Sequence, residues 1–176
     1  MYTQALNENL EVLAEYLQQR RLTLATAESC TGGLLAGALT SRPGSSQWYE
    51  GGFVTYRISA KHSLLDIQSE MLKVHGAVSE AIAKQMAEHT LSHCDAHLAI
   101  ATTGLAGPDG DGTDTSVGTL WIAWAGRENT RPGKTDGWTD AQCFSLDGPR
   151  SHFREEATLL AVSGLVSRLG EHEGSW

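Results

Sequence analysis

Three apolar runs close the sequence, "AHLAIATTG" at 96–104, "TLWIAWAG" at 119–126 and "WTDAQCFSL" at 138–146, and no helical periodicity separates them. Parallel strands need a crossover between them, normally a helix. Three strands in direct succession therefore argue against a regular doubly wound fold. Upstream the pattern changes. Leu6, Leu10, Leu13 and Leu17 recur at helical spacing and predict an amphipathic helix over about residues 4–20. "RLTLATAE" at 21–28 alternates as a strand, "TGGLLAGALT" at 31–40 reads as a helix packed on a sheet, and "WYEGGFVTY" at 48–56 as a second strand. Short helices are expected over 59–66 and 69–76, a longer one from a Ser79 cap to about His93, and a last one over 150–169. The order α β α β α α α β β β α predicts an α/β fold, a three-layer α/β/α sandwich with a mixed sheet.

The chain of 176 residues suits a single domain spanning 1–176. It contains no run of about 18 or more uncharged apolar residues, and its polar, amphipathic start is unlike a signal peptide, so a cytoplasmic protein without membrane contact is expected. Cys30, Cys94 and Cys143 are odd in number and widely spaced, which fits reduced thiols better than a disulfide framework. With 21 acidic and 13 basic residues the net charge is −8, unfavourable for nucleic acid but compatible with a small anionic ligand met by one or two cations. Trp121 and Trp124 suggest a sheet face buried against another subunit, hence a homo-oligomer.

Several familiar sites fail on spacing. The Gly-Lys-Thr at 133–135 has Glu128 where a phosphate-binding loop needs its first glycine. "DGDGTD" at 109–114 has Asp114 and Leu120 at the glycine and glutamate positions of a calcium loop. "HTLSHCDAH" places His89 and His93 one helical turn apart, with Cys94 and His97 nearby, but a polar helix end explains them better than a metal. Neither metal nor cofactor is expected.

Three polar constellations remain at predicted strand ends: "TAESCTGG" at 26–33, "GSSQWYEGGFVTYRISAK" at 44–61 and "TTGLAGPDG" at 102–110. Serine attacks only when a base takes its proton, and a lysine can be that base if burial keeps it neutral. Ser45, Ser46, Tyr56 and Lys61 make such a hydrolase chemically coherent. Cys30 at a helix start is a rival nucleophile. Glu28 caps the helix, binds a ribose or holds a lysine.

Taken together, "TAESCTGG", "GSSQWYEGGFVTY", Ala60-Lys61, "HGAVSE" at 75–80, "GLAGPDG" at 104–110 and "VGTLWIAWA" at 117–125 resemble the CinA C-terminal domain family, over about residues 5–170. The resemblance implies a stand-alone amidase that hydrolyses the carboxamide of nicotinamide mononucleotide to nicotinate mononucleotide and ammonia. It casts Ser46 as nucleophile ahead of Ser29, Lys61 as base and then acid, and Tyr56 as an orienting or relaying hydroxyl. Ser29 and Thr103 complete a polar pocket that also draws on Thr31 and Gly104. The phosphate is assigned to the Gly32, Gly33 helix start or to Arg150, ribose hydroxyls to Glu28, and a lid to the loop around Asp109. Arg57 and Ile58 replace the Ser-Asn usual after Tyr56, and an inward-pointing Arg57 would alter Lys61 or block the substrate, leaving a binding module without turnover.

Overall fold

The computed structural model describes residues 2–131 and 136–170. The Gly-Lys-Thr at 133–135 lies outside them. Helix α1 (Gln4–Arg20) buries the stripe Leu6, Leu10, Leu13 and Leu17. Its first turn is capped by Thr3, whose Oγ1 accepts from the Leu6 amide at 3.2 Å, and Arg21 closes it in the left-handed region at φ 54°. Strand β1 (Leu24–Glu28) leads into α2 (Leu34–Thr40), then β2 (Tyr49–Val54). Three helices follow, α3 (Ile58–Leu65), α4 (Ser69–His75) and α5 (Glu80–Ser92), the last capped by Ser79 as expected. The predicted closing strands are β3 (Leu98–Gly104), β4 (Thr119–Gly126) and β5 (Trp138–Ser145), before α6 (Arg150–Gly170).

The five strands form one mixed sheet in the order β2-β1-β3-β4-β5. β1 runs parallel to β2 and β3, whereas β4 is antiparallel to both of its neighbours. This direction rule fixes where a site can assemble. The C-terminal ends of β1, β2 and β3 lie together, and β5 also ends there, so the first turn of α6 emerges at the same end of the sheet.

Strand alternation divides the core into two faces. On one face Leu24, Leu98, Ile100, Leu120, Ile122 and Trp124 pack with α1, α2 and α6. On the other, Ala25, Ala27, Ala99, Ala101, Ala123 and Ala125 present almost no bulk, and α5 settles on that smooth surface with Ile82, Ala83, Met86 and Ala87. Trp121 and Trp124, three residues apart on a strand, point to opposite faces. Trp124 is fully buried within the chain: its indole N–H donates to the Ala161 carbonyl at 2.8 Å, and Arg168 lies 3.6 Å from the ring. Gly164 makes that packing possible, since a Cβ there would sit 2.2 Å from the indole. The tryptophan is therefore covered by α6, whereas Trp121 on the opposite face stays partly exposed, so the expected homo-oligomer rests on Trp121 alone.

No described helix is long and apolar enough to cross a membrane. Among the described residues no group of three or more His, Cys, Asp or Glu could hold a metal ion. The histidines have structural bonds instead: His89 Nδ1 meets the Leu65 carbonyl, and His93 bridges the His89 carbonyl and Asp66. His97 is tied to Thr23.

Candidate active site

The segment leaving β1 separates two consecutive polar side chains by the same alternation. Glu28 turns toward α2 and Ser29 toward α3. The Glu28 carboxylate, 1% exposed, accepts from the amides of Gly33, Leu35 and Ala36 at 2.9, 3.1 and 2.8 Å. It caps α2, with both carboxylate oxygens engaged by backbone amides. The expected ribose contact is therefore corrected to a capping role. The same bonds remove the α2 start as a phosphate cradle, because the amides of Gly32 and Leu34 are also taken, by the carbonyls of Ser29 and Thr31. Gly32 and Gly33 serve the turn itself, both with positive φ, 57° and 95°.

On the other side, Lys61 of α3 reaches back beneath the strand ends. Its Nζ donates to Ser29 Oγ at 2.8 Å and to the Thr55 carbonyl at 2.9 Å. Lys61 is 1% exposed and Ser29 8% exposed. Burial pulls the Lys61 ammonium down from 10.5 to about 8, because desolvation disfavours the charged form. The nearby Cys30 thiolate would oppose this, but desolvation pushes that thiol up to about 12. At neutral pH the thiol is uncharged and gives the lysine no counter-ion. Serine and lysine thus meet with the amine's proton affinity lowered toward the range where it can accept a proton.

This geometry overturns Ser46 as the partner of Lys61. Ser46 lies in an exposed 3-10 turn, Ser45–Gln47, before the first residue of β2, whereas Lys61 follows the last. The six residues of β2 set them roughly 20 Å apart within the chain. Cys30 is corrected as well. It is packed in the core, where burial holds its thiol in the neutral form that does not attack.

The remaining expected residues divide between the mouth and the scaffold. Tyr56 is 54% exposed, and its hydroxyl receives a hydrogen bond from Arg150, not from Lys61. Arg150 also donates to the Gly107 carbonyl at 3.0 Å, joining the segment after β2 to the loop after β3. Thr31 and Thr102 share a buried hydroxyl contact at 2.8 Å, while Thr103 Oγ1 donates to the Ala77 carbonyl at 2.7 Å and ties β3 to the α4–α5 connection. Gly104 makes room for packing: a Cβ would lie 2.8 Å from the Thr119 carbonyl and 2.9 Å from Phe153. Asp109 is exposed on the β3–β4 loop. Arg57 is exposed at the start of α3, and Lys61 owes its lowered pKa to burial, not to this guanidinium.

Two participants escaped the sequence reading. Thr55 supplies its carbonyl to Lys61 and buries a hydroxyl that has no partner among the described residues. A carbonyl leaves no sequence signal. Arg154 donates through Nε and Nη2 to the Thr31 carbonyl at 3.3 and 2.7 Å. Its position one turn after Arg150 was the available clue.

Residues 6–169 match the model of the CinA C-terminal domain. A nicotinamide-nucleotide amidohydrolase PncC of Escherichia coli K12 is 41% identical over 155 residues, covering 88% of this chain and 89% of that protein. A putative competence-damage inducible protein of Symbiobacterium thermophilum is 44% identical over 87% of this chain, which spans 36% of that longer relative. A crystal structure of competence damage-inducible protein A from Klebsiella pneumoniae superposes with a TM-score of 0.86 at 34% identity, over 96% of this chain and 99% of that one.

Proposed function

The chain belongs to the CinA C-terminal domain family, and from that premise we propose that it is a nicotinamide-nucleotide amidohydrolase using a Ser29–Lys61 pair. The reaction is hydrolysis of the carboxamide of nicotinamide mononucleotide to nicotinate mononucleotide and ammonia. The substrate class rests on the similarity to the E. coli amidohydrolase over most of both chains. The catalytic assignment rests on one observation, the 2.8 Å contact between Lys61 Nζ and Ser29 Oγ at the C-terminal end of β1.

In this reading neutral Lys61 accepts the Ser29 proton as Oγ bonds to the carboxamide carbon, giving a tetrahedral oxyanion. Collapse breaks the C–N bond, and the Lys61 ammonium returns the proton so that nitrogen leaves as ammonia. A water then attacks the Ser29 ester, Lys61 takes its proton, and that proton passes to Ser29 Oγ as the carboxylate departs. The Thr55 carbonyl holds the amine aimed at Ser29 throughout. Tyr56 and Arg150 act at the mouth as substrate-orienting groups, and Arg150 is a cation available to the phosphate.

The test is ammonia release, with chromatographic identification of the acid product, from purified protein and nicotinamide mononucleotide in the presence of a chelator. Equimolar nicotinate mononucleotide and ammonia are expected. Folded protein that gives neither product rules out the amidase.

A further inference from the structure

We infer that Arg154 is a specificity-determining residue which, with Arg150, forms a two-guanidinium clamp for the phosphomonoester of the substrate; the inference rests on the nucleotide reading above. The α2 start cannot hold the anion, because Glu28 and two carbonyls occupy its amides. An anion at this end of the sheet must be met by side chains.

Arg150 and Arg154 stand one turn apart on α6, so their side chains share a face. Each is fixed by backbone carbonyls at the mouth: Arg154 on Thr31, two residues beyond Ser29, and Arg150 on Gly107. Both reach Tyr56 or its surroundings. Arg150 bonds the tyrosine hydroxyl, and a Cβ on Gly32 would lie 3.4 Å from Arg154 Nη2 and 3.9 Å from the Tyr56 ring. The two guanidiniums and the ring therefore border one patch, and Gly32 keeps it open.

Charge is the second observation. The chain carries −8 overall, and three arginines find carboxylates: Arg42 pairs with Glu11, and Arg131 and Arg168 share Asp140. Among the described residues neither Arg150 nor Arg154 meets one. Arg21, Arg57 and Arg127 also lack one among the described residues, but Arg21 and Arg57 are exposed, and Arg127 is spent on the Leu91, Cys94 and Ala96 carbonyls at the opposite end of the sheet. Two pre-oriented forks without counter-ions suit a dianionic phosphomonoester, which accepts several charge-assisted bonds.

The experiment compares nicotinamide mononucleotide with its nucleoside, nicotinamide riboside, as substrates for wild type, Arg154→Ala and Arg154→Lys, after circular dichroism confirms folding. Arg154→Ala is expected to lower kcat/KM for the nucleotide by about 30- to 100-fold while changing the nucleoside's by less than about 3-fold. Arg154→Lys should recover only part of the loss, because a point charge replaces a fork. Equal losses on both substrates would overturn the clamp and leave Arg154 as a support for the Ser29 turn. Calorimetric binding of ribose 5-phosphate gives a readout independent of turnover: it should weaken on Arg154→Ala, whereas unchanged affinity overturns the proposal. If wild type turns over neither pyridine compound, the amidase reading fails while the ribose 5-phosphate titration still decides the clamp.

Discussion

At the scale of single residues, the proposed catalysis turns on a lysine placed where its charge is unwelcome. Lys61 is 1% exposed, and burial lowers it to about 8. As a base it must be neutral, so kcat/KM for the amide should rise with pH up to about 8 and level off above it. A profile flat from pH 6 to 9 would contradict a lysine base. The same shift predicts a stability effect of determined sign. The folded pKa lies below the unfolded 10.5, so folding is penalised by about 3 kcal/mol below pH 8, and the penalty fades between pH 8 and 10.5. The melting temperature of wild type relative to Lys61→Met should therefore increase between pH 8 and 10. Cys30, with its thiol pushed up to about 12 and packed in the core, should resist mild alkylation of the folded protein, and activity should survive the reagent. Residue chemistry was legible in part. "TAESCTGG" announced a functional turn, but which of its polar groups faces a base depends on strand parity and on a lysine that arrives 32 positions after Ser29.

At the scale of elements, Glu28 shows how one residue of alternation changes a role. It ends β1 facing α2, whose first amides it binds, so it stabilises the junction that holds Ser29 in place. Glu28→Gln exchanges one acceptor oxygen for a donor facing an amide. It should destabilise the fold by about 2 kcal/mol and lower the melting temperature by roughly 5 °C, readable by thermal denaturation. An unchanged melting temperature would place that carboxylate outside the cap. The capping alternative was visible in the sequence because a glycine turn and an apolar helix follow the carboxylate at once. The existence and order of the elements were also legible, since leucine spacing, alternating runs and Ser79 each carry local physics. Thr103 and Gly104 were read as pocket residues because they end a strand, yet their contacts are with Ala77 and Phe153. Those partners lie 26 and 49 positions away, beyond any local pattern.

At the scale of the whole molecule, sheet topology decides what can be a site. Parallel β1, β2 and β3 bring their C-terminal ends together and leave the residues before β2 at the far end. Ser46 looked attractive because it is only fifteen positions from Lys61, but β2 lies between them and runs outward. Sequence distance is a poor guide when the intervening segment is a strand. Packing makes the same point at the other face: Gly164 is required by Trp124, and Gly164→Ala should destabilise the fold by about 1–3 kcal/mol in denaturant unfolding, because the ring has no room to retreat in a filled core. In the proposed reaction the chemistry belongs to Ser29 with Lys61. It is tested most directly by measuring turnover of nicotinamide mononucleotide by wild type, Ser29→Ala and Ser46→Ala side by side. Ser29→Ala is expected to lose at least about a thousand-fold in kcat while remaining folded, and Ser46→Ala to stay within a few-fold of wild type. An active Ser29→Ala, or an inactive but folded Ser46→Ala, would contradict it.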